Sequence, residues 1–191
     1  MRICALLLAA GAGRRFGADK LSAALPDGTP VGVAAAQNLL AAGCETLAVV
    51  RTADAGIAPA LARLGVRLTP CVDAYLGMGH SLACGVRASA QADGWLIALG
   101  DMPFVRPASI AAVAAALARG APIAAPSYGG RRGHPVGLAA GFRDHLLGLR
   151  GDEGARRLLR AHAGRMVRVD VDDPGVLRDV DWPGDLAAAG G

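Results

Sequence analysis

Aromatic side chains are nearly absent: Phe, Trp and Tyr together make up 4% of the 191 residues. With so few rings to stack on bases and no run of basic residues, the net charge of +4 does not describe a nucleic-acid surface. A small anionic ligand accounts for that excess equally well. Also missing is any uninterrupted apolar stretch of the roughly 18 residues that a membrane span needs. The short run from Ile3 to Ala10 passes straight into Gly11-Ala12-Gly13-Arg14-Arg15 with no cleavage region, so it predicts a first strand rather than a signal peptide. Cys4, Cys44, Cys71 and Cys84 stand singly among apolar neighbours. Their spacing excludes a Cys-x-x-Cys zinc or redox motif and a secreted disulfide framework, and predicts reduced, buried thiols in a cytoplasmic protein. No Ser-His-Asp or Cys-His arrangement is suggested. Lysine is the scarcest charge: of 20 basic residues only Lys20 is not arginine, which marks it as a place where a compact, mobile point charge is wanted.

What is present is an aliphatic, Ala-rich chain, 53% hydrophobic, long enough to bury roughly 70% of its unfolded surface as one domain over residues 1–191. Ile3 to Leu8 is apolar without alternation, as a central parallel strand covered on both faces should be. Thr46 to Val50, Val66 to Thr69, Trp95 to Leu99, Ile123 to Ala125, Pro135 to Leu138 and Val167 to Val171 read as further strands. Val31 to Ala42, Ile57 to Leu64, His80 to about Ala90, the stretch from Pro107 to Gly120, Phe142 to Leu149 and Ala155 to Ala163 read as helices. Ser127 to Arg132 reads as a turn. The alternation predicts an α/β fold: a Rossmann-like open sheet of about six or seven mostly parallel strands flanked by helices, with an inserted or antiparallel element near residues 127 to 140.

In such sheets ligands bind beyond the carboxyl ends of the strands, so the loop after the first strand and Asp101 after the fourth belong to one rim. The loop, Leu8-Ala9-Ala10-Gly11-Ala12-Gly13-Arg14-Arg15 through Lys20, lets backbone N–H groups approach phosphate oxygens, while Arg14, Arg15 and Lys20 add cations. Its spacing fits neither the dinucleotide fingerprint nor the Walker lysine. A triphosphate is the expected ligand, against an ordinary strand-to-helix turn. Asp101 stands between Gly100 and Met102-Pro103, where a fixed carboxylate can hold Mg²⁺. Magnesium takes one or two carboxylates and completes its octahedron with phosphates and water. Asp179, Asp181 and Asp185 are the candidates for a second acid, against a solvated acidic tail.

Together with Gly77-Met78-Gly79-His80-Ser81-Leu82, Leu99-Gly100-Asp101-Met102-Pro103, Gly130-Arg131-Arg132-Gly133-His134-Pro135, Gly151-Asp152-Glu153-Gly154-Ala155-Arg156 and Asp181-Trp182-Pro183, this loop resembles the MobA-like nucleotidyltransferases. Within them it is most similar to the molybdenum cofactor cytidylyltransferases. The match runs over nearly the full length. The resemblance implies a nucleotidyltransferase that moves CMP from CTP, or another nucleoside triphosphate, to a phosphorylated small-molecule acceptor, molybdopterin carrying molybdenum, with release of pyrophosphate. It implies Lys20, Arg15 and Asp101 as catalytic residues and Asp101 with Asp181 as magnesium ligands. Leu8 to Arg14, Lys20 and Ser81 would bind nucleotide, and Arg132, His134, Asp152 and Arg156 the acceptor. Partners would be CTP, the acceptor, and a molybdenum-enzyme apoprotein or chaperone, with no nucleic acid and no membrane. Trp182 departs from the family pattern, which has a small residue before the proline. A sugar- or alcohol-phosphate nucleotidyltransferase and a non-catalytic cofactor-binding accessory protein are the alternatives.

Overall fold

The alternating pattern is realised as an eight-stranded sheet in the computed structural model, which describes residues 1–11, 16, 19–152 and 154–187. Its strands are β1 (Ile3–Leu8), β2 (Glu45–Val50), β3 (Arg67–Pro70), β4 (Gly94–Leu99), β5 (Ile123–Tyr128), β6 (Arg131–Arg132), β7 (Val136–Ala139) and β8 (Met166–Asp170). They pair in the order β3-β2-β1-β4-β7-β5-β6, and β8 runs along β5. β1 to β4 pair in parallel; β7 is antiparallel to both β4 and β5, so β5 and β8 again run in the direction of β4.

Period-two geometry explains why β1 reads as an unbroken apolar run. Ala5 and Leu7 join one buried cluster and Cys4 and Leu6 another, because the sheet is covered on both sides. On the first side lie α1 (Val31–Ala41), α2 (Ala58–Arg63) and α4 (Pro107–Ala118), represented by Leu39, Leu61 and Leu117. On the second lie α3 (Met78–Ala88), α5 (Arg143–Leu147) and α6 (Arg156–Ala161), represented by Leu82, Leu146 and Leu158. Trp95, fully buried, spends its indole N–H on Ser89 Oγ at 2.9 Å, so its polar atom is satisfied in the core.

Several expectations change, among them the number of strands, which is eight where about six or seven were expected. The segment 127 to 132, read as a turn, is mostly strand: Ser127 and Tyr128 complete β5 and pair with Arg132 and Arg131 of β6. The turn is confined to Gly129 and Gly130, whose φ values of +54° and +75° an L side chain rarely adopts. The antiparallel element also lies inside the sheet, with β7 filling the place between β4 and β5. Of the cysteines, Cys4 and Cys71 are buried as expected, but Cys44 and Cys84 are half-exposed; all four are free thiols. No helix among the described residues is long and apolar enough to cross a membrane.

Candidate active site

At the carboxyl rim, β1 and β4 run side by side past their ends, Gly100 N–H donating to the Leu8 carbonyl at 3.0 Å. This register sets Asp101 beside the first loop. Lys20 opens a short helical turn, Lys20–Ser22, anchored by the buried Leu21. Its ammonium donates to Asp101 Oδ2 at 2.7 Å and to Asp181 Oδ1 at 3.0 Å. Burial opposes the charged ammonium, but the hydrogen bonds and charges of Asp101 and then Asp181 outweigh it and hold its pKa above the ordinary lysine value.

Asp181 comes from the C-terminal segment, which two tethers bring to the rim. Asp173, buried, accepts from Arg106 N–H at 2.8 Å and Ser109 Oγ at 2.7 Å at the start of α4. Val180 N–H donates to the Asp101 carbonyl at 2.8 Å. Asp185 Oδ2 then accepts from Asp181 N–H and Trp182 N–H at 2.9 and 2.8 Å, closing the turn. Those two bonds hold the Asp185 carboxyl below its usual range, so Asp185 organises the turn. The Trp182 side chain is 57% exposed and leaves Asp181 facing Lys20. Burial first, and then the charges of Asp181 and Asp101, raise the Asp179 carboxyl.

Asp101 Oδ1 is buried and has no hydrogen-bond partner among the described residues. A buried carboxylate oxygen without a donor calls for a cation. Two hard carboxylates on one rim fit the requirement of a magnesium- or manganese-type ion that takes its remaining ligands from phosphate and water. Among the described residues no cluster of three metal-ligating side chains occurs.

Beside this cluster opens a cleft of about 490 Å³, lined by Leu8, Ala10, Gly11, Arg51, Ser81 and Asp101 among others. It therefore brings together four of the residues expected to bind nucleotide, Leu8, Ala10, Gly11 and Ser81. Ala9 differs. Its N–H is spent on the Val49 carbonyl at 2.9 Å and its methyl packs into the core, so it offers no donor to a phosphate. Ala12, Gly13, Arg14 and Arg15 lie outside the described residues. Arg51, which the sequence reading passed over, lines the cleft and donates to the Gly11 carbonyl at 3.4 Å. Its position one residue past β2, on the ligand-binding rim, is the signal that could have found it.

The residues expected to bind acceptor separate into three places. Asp152 lines the same cleft as Ala10, because Gly151 docks on the start of α3: Gly79 N–H donates to the Gly151 carbonyl at 2.8 Å, and Gly151 N–H to His80 Nδ1 at 3.3 Å. Gly77 permits this approach. Its φ is +125°, and a Cβ there would stand 2.4 Å from the Gly151 backbone. His134, half-buried, lies between the end of β4 and α1 beside Leu99, Met102, Leu39 and Asn38. Burial and then the neighbouring Arg132 charge push its pKa down to about 4, so near neutral pH it has no positive charge to give an acceptor phosphate. Arg132 and Arg156 lie within electrostatic reach of one another, in company with Arg168.

The sequence profile of the MobA-like NTP transferase domain matches residues 5–166. Purine catabolism protein PucB of Bacillus subtilis is 33% identical over 190 residues, covering 93% of this chain and 91% of that protein. Nicotine blue oxidoreductase of Paenarthrobacter nicotinovorans is 32% identical over 190 residues, covering 94% and 92%. Among solved structures, a nucleotidyl transferase from Methanothermobacter superposes with a TM-score of 0.79 at 27% identity over 96% of this chain and 94% of that one. Rv0371c of Mycobacterium tuberculosis in complex with manganese superposes with a TM-score of 0.75 at 26% identity over 97% and 96%.

Proposed function

Since the chain belongs to the MobA-like NTP transferase family, we propose that this nucleotidyltransferase uses CTP and magnesium to place a CMP unit on a phosphorylated acceptor, molybdopterin carrying molybdenum, and releases pyrophosphate. The observation that carries the reading is the buried Asp101 Oδ1, without a hydrogen-bond partner among the described residues, at the rim of a cleft, with Lys20 joining Asp101 to Asp181. Asp101 and Asp181 would hold the ion, which when bound supplies charge neutralisation on the triphosphate. A manganese complex of a similar structure supports a divalent metal.

The chain's own residues do the rest. A phosphate acceptor is already anionic near neutral pH, so no side chain needs to take a proton from it. One of its oxygens forms a bond to the α-phosphorus while the bond to the departing pyrophosphate breaks in line, and the difficulty is bringing two anions together. Lys20, kept protonated by its two acids, supplies a fixed positive charge at the rim. Ala10, Gly11 and Ser81 would shape the cleft for nucleoside, and, as the family resemblance implies, Ala10 presents a methyl group where the Leu-Ala-Gly-Gly loop of guanylyl-transferring members has none. That methyl favours a one-ring base.

The name of PucB, a purine catabolism protein, is compatible with a molybdenum-cofactor acceptor; the oxidoreductase name of the other relative points to a different chemistry. Pyrophosphate release measured across CTP, GTP and ATP with molybdenum cofactor, sugar phosphates and alcohol phosphates as acceptors tests the reading. Acceptor-dependent release that is greatest with CTP and molybdenum cofactor is expected. Release with a sugar or alcohol phosphate instead would reassign the acceptor, and no release with any pair would leave a non-catalytic accessory protein.

A further inference from the structure

Away from the cleft, three guanidinium groups share one face of the sheet. Arg132 on β6 lies opposite Ser127, and Arg168 on β8 lies opposite Ala125. Ala125 and Ser127 are two apart on β5, so the side chains of Arg132 and Arg168 project to the same side, flanking β5 from its two edges. Ala125 belongs to the cluster covered by Leu158 and Leu159 of α6, and Arg156 is the residue that opens that helix. The three arginines therefore come from three separate elements on the same side of the sheet. The positive charges of Arg156 and Arg168, after partial desolvation, lower the pKa of Arg132, which agrees with this placement.

Among the described residues none of the three has a carboxylate within 4.0 Å, although Asp170 stands opposite Ser127 on the same face. Arg168 Nη1 donates to the Gly130 carbonyl at 3.1 Å, which fixes one arm of the fork at the β5–β6 turn and leaves other N–H groups for a ligand. Unneutralised like charges repel, and planar guanidinium forks match the oxygens of a phosphate better than any other side chain does. The group is also connected to the rim on two sides. Arg156 lies four residues beyond Asp152 of the cleft, and Arg132 leads through His134, whose N–H donates to the Val176 carbonyl at 2.9 Å, into the segment that carries Asp181.

We infer that Arg132, Arg156 and Arg168 form a single seat for a phosphate monoester of the acceptor, with Arg168 as the member that closes it. Its place in the reaction rests on the nucleotidyl-transfer reading; the anion site itself does not. Neither the family pattern in the sequence nor the cleft points to Arg168, which stands in an otherwise unremarked edge strand.

The test is calorimetric titration of inorganic phosphate, at constant ionic strength, into the full chain saturated with magnesium and the non-hydrolysable α,β-methylene analogue of CTP, with acetate as the singly charged carboxylate comparison. Phosphate should bind and acetate should not. Arg168→Gln keeps a donor for the Gly130 carbonyl but lacks the charge, so it should weaken phosphate binding about tenfold or more, with Arg168→Lys in between. The affinity for the CTP analogue should stay the same in both variants. Equal phosphate affinity in the wild-type and Arg168→Gln chains, or no phosphate binding to the wild type, would overturn the seat. Failure of the wild type to bind the CTP analogue would instead count against the nucleotidyl-transfer reading, and the phosphate titration repeated without nucleotide would still decide on the arginines.

Discussion

The Lys20 ammonium donates to one oxygen of Asp101 across 2.7 Å while the other oxygen of the same carboxylate lies buried with no partner among the described residues. The two halves of that carboxylate thus face different demands. One is committed to the single lysine of the chain; the other offers a hard, desolvated lone pair of the kind a divalent ion would take. Asp181, at 3.0 Å from the same ammonium, gives Lys20 a second acceptor and ties the C-terminal segment to the first loop.

Replacement of Lys20 by Ala or of Asp101 by Asn is therefore expected to leave the circular dichroism spectrum unchanged and to lower turnover by about a hundredfold or more, the usual loss when one preorganised electrostatic group is removed. Pyrophosphate release under single-turnover conditions is the measurement. Near-normal rates in either variant would mean that the chemistry happens elsewhere.

Asp181→Asn should be milder. The Asp181 side chain is 35% exposed against 23% for Asp101, and an amide oxygen can still approach a cation. The half-saturating magnesium or manganese concentration should rise by about tenfold while much of the maximal rate is kept. A metal titration that superposes on the wild-type curve would remove Asp181 from the site.

Base choice follows from Ala10, which is buried at the wall of the cleft. One methyl group discriminates by about 1 to 3 kcal/mol, so CTP should be preferred to GTP by roughly 10- to 200-fold, and Ala10→Gly should narrow the ratio. Single-turnover rates with both nucleotides at saturating acceptor decide this. GTP equal to or better than CTP in the wild type would discard the cytidylyl assignment and keep nucleotidyl transfer.

His134 predicts a pH dependence of stability. Its pKa falls from 6.5 to about 4 on folding, so the unfolded chain binds the proton more readily than the folded one. Its contribution is fully present above the unfolded value, is lost progressively as pH falls from about 6.5 to about 4, and is bounded at about 3 kcal/mol. Urea midpoints across that interval should fall less steeply for His134→Gln than for the wild type. Parallel curves would show that the imidazole is not desolvated in solution.

Most of the strands and helices, and the place of the rim beyond β1 and β4, were legible in the sequence, because apolar period, glycine punctuation and the Gly100-Asp101-Met102-Pro103 exit are local properties of the chain. Lys20 stood out by composition alone. By composition and spacing Asp179, Asp181 and Asp185 are equivalent, and within the sequence only the family resemblance singled out Asp181; in the tertiary structure the Val180 to Asp101 hydrogen bond and the Asp185 turn aim Asp181 at Lys20. Likewise, the burial that keeps His134 neutral and the register that sets Arg168 beside Arg132 arise from contacts between residues far apart in the chain. Local pattern specifies which elements form; charge state and convergence depend on desolvation and distance, which exist only once the elements have packed.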